Sequence, residues 1–355
     1  MKKTILVTGG AGFIGSAVIR HILDNSNFKV INIDKLTYAS NLSSLKKYEK
    51  NKNYIFKKID ICNRRKIFEI FKKYLPELVM HLAAETHVDR SINAANNFIK
   101  TNILGTYNML EVSREYYKSL NIKNKKKFRF HHISTDEVYG DLKKNSPPAD
   151  EDFKYSPSSP YSASKASADH LVRSWFRTYN LPVIISNCSN NYGPNQFPEK
   201  LIPLIILNAL EKKKLPIYGN GQQIRDWLYV NDHAEALFKI ITKGKVGETY
   251  NIGGKNQIKN IDVVKIICNI LDKIKPLNIK NKKYSDLIVY VKDRPGHDKR
   301  YAINTKKIQN KLNWHPKESF KTGIYKTIKW YMSTNNLVEN FGKKKYARKR
   351  LGLIK

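Results

Sequence analysis

The sequence is short of acid: 65 Lys and Arg stand against 30 Asp and Glu, a formal charge of +35 at pH 7. It is also short of cysteine. Cys62, Cys188 and Cys268 lie far apart, which argues against a zinc cluster or any other metal site and against a disulfide framework, and fits a reducing cytoplasm. Long apolar runs are missing as well. The longest, Leu201 to Leu210, contains Pro203 and Asn208 and is too short to span a bilayer, so no membrane partner is expected. The N-terminal MKKTILVTGGAG ends its apolar run at Thr8 in glycines, so it reads as a first strand and not as a signal peptide. There is no internal repeat.

The positive charge by itself would suit nucleic-acid binding. Zinc-finger spacing and an aromatic-basic RNP motif are absent, however, and the basic residues are dispersed, with local clusters at 123–127, 211–214 and 342–350. The features favour a Lys-rich surface with no dedicated nucleic-acid partner. Such a surface still attracts anions, an anionic substrate included.

The chain has 355 residues, 41% of them hydrophobic, enough for one large α/β unit or two smaller domains with a substantial core. Apolar β-rich runs fall at 3–8, 29–34, 54–58, 78–82, 129–134 and 182–187, with helical patterns between them, for example at 14–23 and 66–74. Strict alternation predicts right-handed crossovers and a Rossmann-like, doubly wound parallel sheet over 1–187. Beyond that point loops carry Gly and Pro and the rhythm changes. A smaller, interleaved α/β lobe is expected over 188–335, closing with a helix at 319–332, some later segments returning to the first unit. A basic tail follows at 336–355.

TGGAGFIGS (8–16) joins the first strand to the first helix, with Gly9, Gly12 and Gly15 three apart. A tight turn there needs a residue tolerant of φ > 0, and a pyrophosphate needs bare backbone amides at a helix N-terminus. Asp34 ends the next strand, placed to accept hydrogen bonds from an adenosine ribose and to repel a 2′-phosphate. The cofactor predicted is NAD. Asp60-Ile61 follow the third strand and Leu82-Ala83-Ala84 the fourth, where small residues let a cofactor approach the backbone; each is also compatible with ordinary βα-loop chemistry.

YSASK (161–165) opens a helix after Pro157 and Pro160, so Tyr161 and Lys165 share one face. A cationic lysine and a positive nicotinamide favour phenolate, and the phenol then serves as a base near neutral pH. One strand earlier, HHISTDEVYG (131–140) puts Asp136 and Glu137 side by side after Ser134 and Thr135. Taken alone, that pair would serve as a helix N-cap and a first-turn acid.

Together with DKLTYASN, LAAETHVDRS, SNNYGPNQFPEKLIP, IYGNGQQIRDWLYVNDH and DRPGHDKRYAI, these segments resemble the extended short-chain dehydrogenase/reductases, and among them the dTDP-glucose 4,6-dehydratases, from residue 8 to about 303. The resemblance implies a lyase using NAD, acting on dTDP-glucose as a cytoplasmic homodimer. In that scheme Tyr161 deprotonates the 4-hydroxyl as hydride leaves C4. Glu137 takes the C5 proton, protonated Asp136 donates to the departing C6 hydroxyl, and hydride returns to C6. Thr135 steadies Tyr161 near the 4-hydroxyl, and an adjacent carboxylate and a water-poor site raise Asp136. The resemblance adds cofactor contacts from Phe13, Ile14, Lys35, Thr37, Thr101 and Asn191. It assigns the nucleotide sugar to Thr86, Asn190, Lys200, Leu201, Pro216, Ile217, Tyr218, Arg225, Asn260, Arg294 and His297. Arg225 and Arg294 suit a diphosphate. Asn260 also suits a helix N-cap, and Arg225-Asp226 an internal ion pair. The competing readings are a nucleotide-sugar 4-epimerase, which has no need of Asp136 and Glu137, a 4,6-dehydratase for another nucleotide sugar, and a nucleic-acid-binding protein on an inactive enzyme fold.

Overall fold

The computed structural model describes residues 3–333, so the basic tail at 336–355 lies outside the described residues. The strands are β1 (Thr4–Thr8), β2 (Lys29–Asp34), β3 (Tyr54–Lys58), β4 (Leu78–His81), β5 (Arg129–Thr135), β6 (Val183–Cys188), β7 (Asn190–Tyr192), β8 (Leu215–Tyr218), β9 (Ile224–Tyr229), β10 (Thr249–Ile252), β11 (Gln257–Lys259) and β12 (Ile288–Val291). The helices are α1 (Phe13–Asn25), α2 (Arg64–Tyr74), α3 (Val88–Asn93), α4 (Ala95–Phe98), α5 (Gly105–Ser119), α6 (Ile122–Lys125), α7 (Pro160–Tyr179), α8 (Leu201–Leu210), α9 (Val230–Lys243), α10 (Asn260–Ile274), α11 (Lys306–Leu312) and α12 (Phe320–Met332). No described helix is long and apolar enough to cross a membrane.

Seven strands form one parallel sheet in the order β10-β6-β5-β4-β1-β2-β3. The period-2 alternation of each strand divides its side chains between two cores. Ile5 and Val7 of β1 pack with Val18 and Ile22 of α1 and with Leu237 and Ile240 of α9. Leu6 packs to the other side with Phe71 of α2, Leu110 of α5 and Val172 of α7. Both faces are covered, which is why the strand sequences are nearly continuous in apolar residues.

The seventh strand was not visible among the β-rich runs of the first half. β10 comes from the late segment and pairs in parallel with β6, Thr249 opposite Ile185. With α9 and α11 it belongs to the sheet's layers. A third core holds α8, α10 and α12 with β8 and β9, through Ile205, Val264, Ile267, Ile324 and Tyr331. The apolar run of 201–210 is thus a buried helix of this lobe.

From β1 the chain winds outward through β2 and β3, then crosses back to β4 on the other side of β1. The loops leaving β1 and β4 therefore diverge, opening a crevice at their carboxyl ends.

Candidate active site

The crevice is floored by glycine. Gly9 has φ +70°, and a Cβ there would lie 2.7 Å from Cα and N of Ala83. A Cβ on Gly15 would stand 2.2 Å from the Gly9 carbonyl oxygen. The turn is therefore closed to any side chain, and β1, β4 and α1 meet backbone to backbone. Thr8 Oγ1 accepts from the Ala83 amide at 3.1 Å and pairs with His81 Nδ1 at 2.8 Å, which holds the two loops in register. Gly12 caps α1 with no side chain, so the first-turn amides face outward without a side-chain acceptor. Asp34 gathers the rim: Oδ2 accepts from the Ala11 amide at 3.0 Å, and Oδ1 from the Leu36 amide at 2.8 Å and Ser40 Oγ at 3.0 Å. A bare, Cβ-excluding turn, an uncapped helix N-terminus and a carboxylate one strand away fit a dinucleotide.

One cleft brings together Gly9, Gly12, Phe13, Ile14, Gly15, Asp34, Lys35, Thr37, Ile61, Leu82, Ala83, Ala84, Thr101 and Asn191 with Thr135, Asp136, Glu137, Tyr161 and Lys165. Asp60 lies next door, in a pocket that shares Lys35, Thr37, Glu85 and Thr101 with the cleft; its Oδ1 accepts from the Cys62 amide at 2.8 Å.

The acids leave β5 in a 3-10 turn over Asp136–Tyr139, whose cap is Thr135: Oγ1 accepts from the Glu137 amide at 3.3 Å. Asp136 is buried, and its Oδ2 has no hydrogen-bond partner among the described residues. Burial first, then the Glu137 charge, raise its carboxyl well above the usual range. Glu137 is partly exposed; its carboxyl is also raised by burial, but Arg294, Lys200 and Arg225 pull it back.

α7 starts in a capping box, with Ser159 Oγ accepting from the Ser162 amide at 3.1 Å and Pro160 at the first position. That cap places Tyr161 in the first turn and Lys165 one turn on. Burial, and next the charge of Glu137, push Tyr161 well above the tyrosine range, and only the Thr135 hydrogen bond acts appreciably the other way. Lys165 Nζ donates to the Ile133 carbonyl at 2.9 Å, and burial lowers its own pKa.

Of the residues assigned to the nucleotide sugar, Thr86, Asn190 and Lys200 line the cleft beside Thr135; Lys200 Nζ donates to the Thr86 carbonyl at 3.0 Å. The others stand in the second lobe outside that lining. Leu201 opens α8, and Pro216, Ile217 and Tyr218 lie on β8. Ile217 is 1% exposed, so its side chain belongs to the core. Asn260 is the first residue of α10 after its cap, Lys259, so the N-cap alternative for it does not hold; its Oδ1 is buried without a partner. Arg225 does not pair with Asp226. Its guanidinium donates to the carbonyls of Ile224 and Asp298, each at 2.8 Å, and lies over the Tyr301 ring at 4.2 Å. Arg294 Nη1 meets Asp89 Oδ1 at 2.7 Å. His297 Nδ1 lies 2.6 Å from Asp293 Oδ1; burial, then Arg294 and Arg225, lower its pKa to about 4. Both arginines act electrostatically on Glu137, so this cationic group faces the acid pair.

Several residues escaped the sequence reading. Glu85, Cys188, Gln196 and Glu199 line the cleft. Asn102 ties its wall together, accepting from the Glu85 amide at 2.8 Å and donating to Ser164 Oγ at 2.9 Å. Their positions in LAAETH, NCSNNYGP and NQFPEK were visible; their inward direction was not.

A model of the GDP-mannose 4,6 dehydratase family matches residues 6–327. A dTDP-glucose 4,6-dehydratase of Shigella flexneri is 60% identical over 344 residues, 95% of this chain and 94% of its own. One from Escherichia coli is 59% identical over 361 residues, 99% of both chains. The crystal structure of the dTDP-glucose 4,6-dehydratase of Bacillus anthracis in complex with NAD superimposes with a TM-score of 0.83 at 42% identity, covering 94% of this chain and 98% of that one.

Proposed function

The chain belongs to the dTDP-glucose 4,6-dehydratase family, and from that premise we propose that it is an NAD-dependent lyase converting dTDP-glucose to dTDP-4-keto-6-deoxyglucose. The observation that carries the reading is the buried, partnerless Oδ2 of Asp136 beside Glu137, in the same cleft as Tyr161. Bound in the glycine cradle, NAD supplies the redox chemistry, taking hydride from C4 and giving it back at C6.

Everything else is proton handling by the chain. Tyr161 takes the proton of the 4-hydroxyl as phenolate, a form that the Thr135 hydrogen bond and the positive nicotinamide ring favour against burial and the Glu137 charge. The ketone at C4 acidifies C5, and Glu137 removes that proton. Burial and the Glu137 charge push Asp136 well above the usual carboxylate range, which favours the protonated form a general acid needs. Oδ2, free of other partners, delivers the proton to the C6 hydroxyl, which leaves as water. Glu137 returns its proton to C5, and the proton taken by Tyr161 balances the one given up by Asp136. Burial supports the proton on Asp136, while Arg294 and Lys200 favour the charged form of Glu137, so neighbouring acids take opposite roles.

A thymidine nucleotide is favoured by the two relatives near 60% identity. The dimer is supported by an exposed apolar face: Ile99, Leu104 and Tyr107 on one side, Tyr179 of α7 on the other, all over 35% exposed in the single chain. Tyr107, Trp175 and Tyr179 join them in a file of edge-on rings. A cytoplasmic location agrees with three free thiols.

Incubation with dTDP-, UDP-, GDP- and CDP-glucose tests the reading. A product absorbing strongly in alkali is expected, fastest with dTDP-glucose; a hexose epimer, or faster turnover of another nucleotide, overturns the corresponding part.

A further inference from the structure

Helix α3 packs against Tyr161, and segments of the second lobe grip it at two points. On one side Glu199, with a side chain only 2% exposed, accepts from Arg90 Nε at 3.1 Å and from the Tyr38 hydroxyl at 3.1 Å. On the other, the buried Asp89 takes two partners from distant segments. Oδ1 accepts from Arg294 Nη1 at 2.7 Å, and Oδ2 accepts from the Tyr218 hydroxyl at 2.8 Å. Between these points Val88 packs with Phe98 and Tyr161, so the helix that holds Arg294 also touches the phenol.

The geometry of the Asp89–Arg294 contact is selective. A guanidinium presents a fork on the edge formed by Nε and Nη2. Asp89 uses Nη1 alone, and Nε is left buried without a hydrogen-bond partner among the described residues. A buried cationic donor with no acceptor is costly unless something negative is meant to meet it. Were the pair only a brace between lobes, a bidentate contact using the fork itself would be the stronger arrangement.

We propose that Asp89 is a positioning residue for the nucleotide end of the site: by holding Arg294 through Nη1 and Tyr218 through its phenol, it turns the Nε–Nη2 edge toward the diphosphate of the nucleotide sugar. The inference rests on the reading that Arg294 meets the diphosphate. Asp89 itself touches no reacting atom. Its contribution is to spare the substrate the cost of ordering a long, flexible side chain.

The test is a double-mutant cycle on the NAD-loaded enzyme, with dTDP affinity read by calorimetry beside kcat, KM and the melting temperature. Asp89→Asn keeps the shape and removes the charge; it is expected to weaken dTDP about tenfold and to raise KM for dTDP-glucose in parallel, with kcat within about twofold. Arg294→Gln is expected to weaken dTDP at least as much. In the double variant the Asp89 effect should vanish, because Asp89 acts through Arg294. Unchanged dTDP affinity in Asp89→Asn, or multiplying effects in the double variant, overturns the proposal while leaving the dehydratase reading intact. Unchanged affinity in Arg294→Gln alone refutes the assignment of Arg294 to the diphosphate, and the Asp89 proposal with it. If Asp89→Asn does not fold, Asp89→Glu replaces it. That variant moves the same charge by one methylene and should weaken dTDP in the same Arg294-dependent way; affinity equal to the parent overturns the proposal.

Discussion

Asp169 and His132 are in contact in the interior: Asp169 Oδ1 lies 3.2 Å from Nε2 of His132, both residues almost wholly out of water. Asp169 Oδ2 accepts from Ser134 Oγ at 2.8 Å and from the Tyr155 hydroxyl at 2.9 Å, and its carboxyl is held below the usual range by His132, Lys165 and Ser134 against the cost of burial. It is therefore a fixed negative charge beneath the ammonium of Lys165. Burial lowers Lys165, and Asp169 is the first group opposing that. Asp169→Asn should destabilise the fold by about 3 kcal/mol, since it uncouples a buried charged network. It should also move the alkaline decline of activity to lower pH, because Lys165 then loses its proton sooner. Urea unfolding and a pH–rate profile check both halves; an unshifted alkaline limb would contradict the electrostatic role.

Glu137 and Tyr161 are separable by single-turnover absorbance. Glu137→Gln should leave C4 oxidation intact, so reduced cofactor accumulates, while product formation falls about a hundredfold or more, the usual range for losing a general base. Tyr161→Phe should suppress cofactor reduction itself. Normal product formation by the first variant, or normal reduction by the second, would reverse the assignments.

Buried imidazoles make the fold acid-sensitive. Burial lowers His87, His131 and His233 to about 3 and His132 to about 4, against an ordinary 6.5. A folded pKa below the unfolded one gives stability that is complete above about 6.5 and drains as pH falls toward the folded value. At pH 5 each ring costs about 2 kcal/mol relative to neutral pH. The raised carboxyls of Asp136, Glu137, Glu151, Glu199, Asp226 and Asp232 work in the opposite direction, favouring the fold at lower pH, while His21, His81 and His297 are lowered like the four rings above and add to the acid sensitivity. Urea midpoints should therefore fall steeply between pH 7.5 and 5; a flat profile there would show that these rings are not held neutral.

The apolar face over α5 and α7 predicts a dimer that one charge can split. Leu104 is 53% exposed and sits in the π-helical turn leading into α5. Leu104→Glu should yield a monomer in sedimentation velocity with an unchanged circular dichroism spectrum, because the chain alone does not bury that side chain. A dimer that persists would place the interface elsewhere.

Features under short-range chemical control are legible in the order of the residues. Gly9 and Gly15 announce the turn because no Cβ fits there. Asp34 closes β2 at the expected residue, and Ser159-Pro160 start α7 just before Tyr161, since caps and φ restrictions act within a few residues. The alternation of six apolar runs indicated a buried parallel sheet. Which distant surfaces meet follows from the packing of the whole chain. β10 joins β6 from far along the chain, and Asp89 reaches Arg294 across 205 residues. The same holds for Tyr161: helical spacing puts Lys165 one turn along α7, but burial and Glu137 are the largest influences on the phenol. Desolvation and long-range pairing depend on the whole packed chain, and no local pattern of residues carries them.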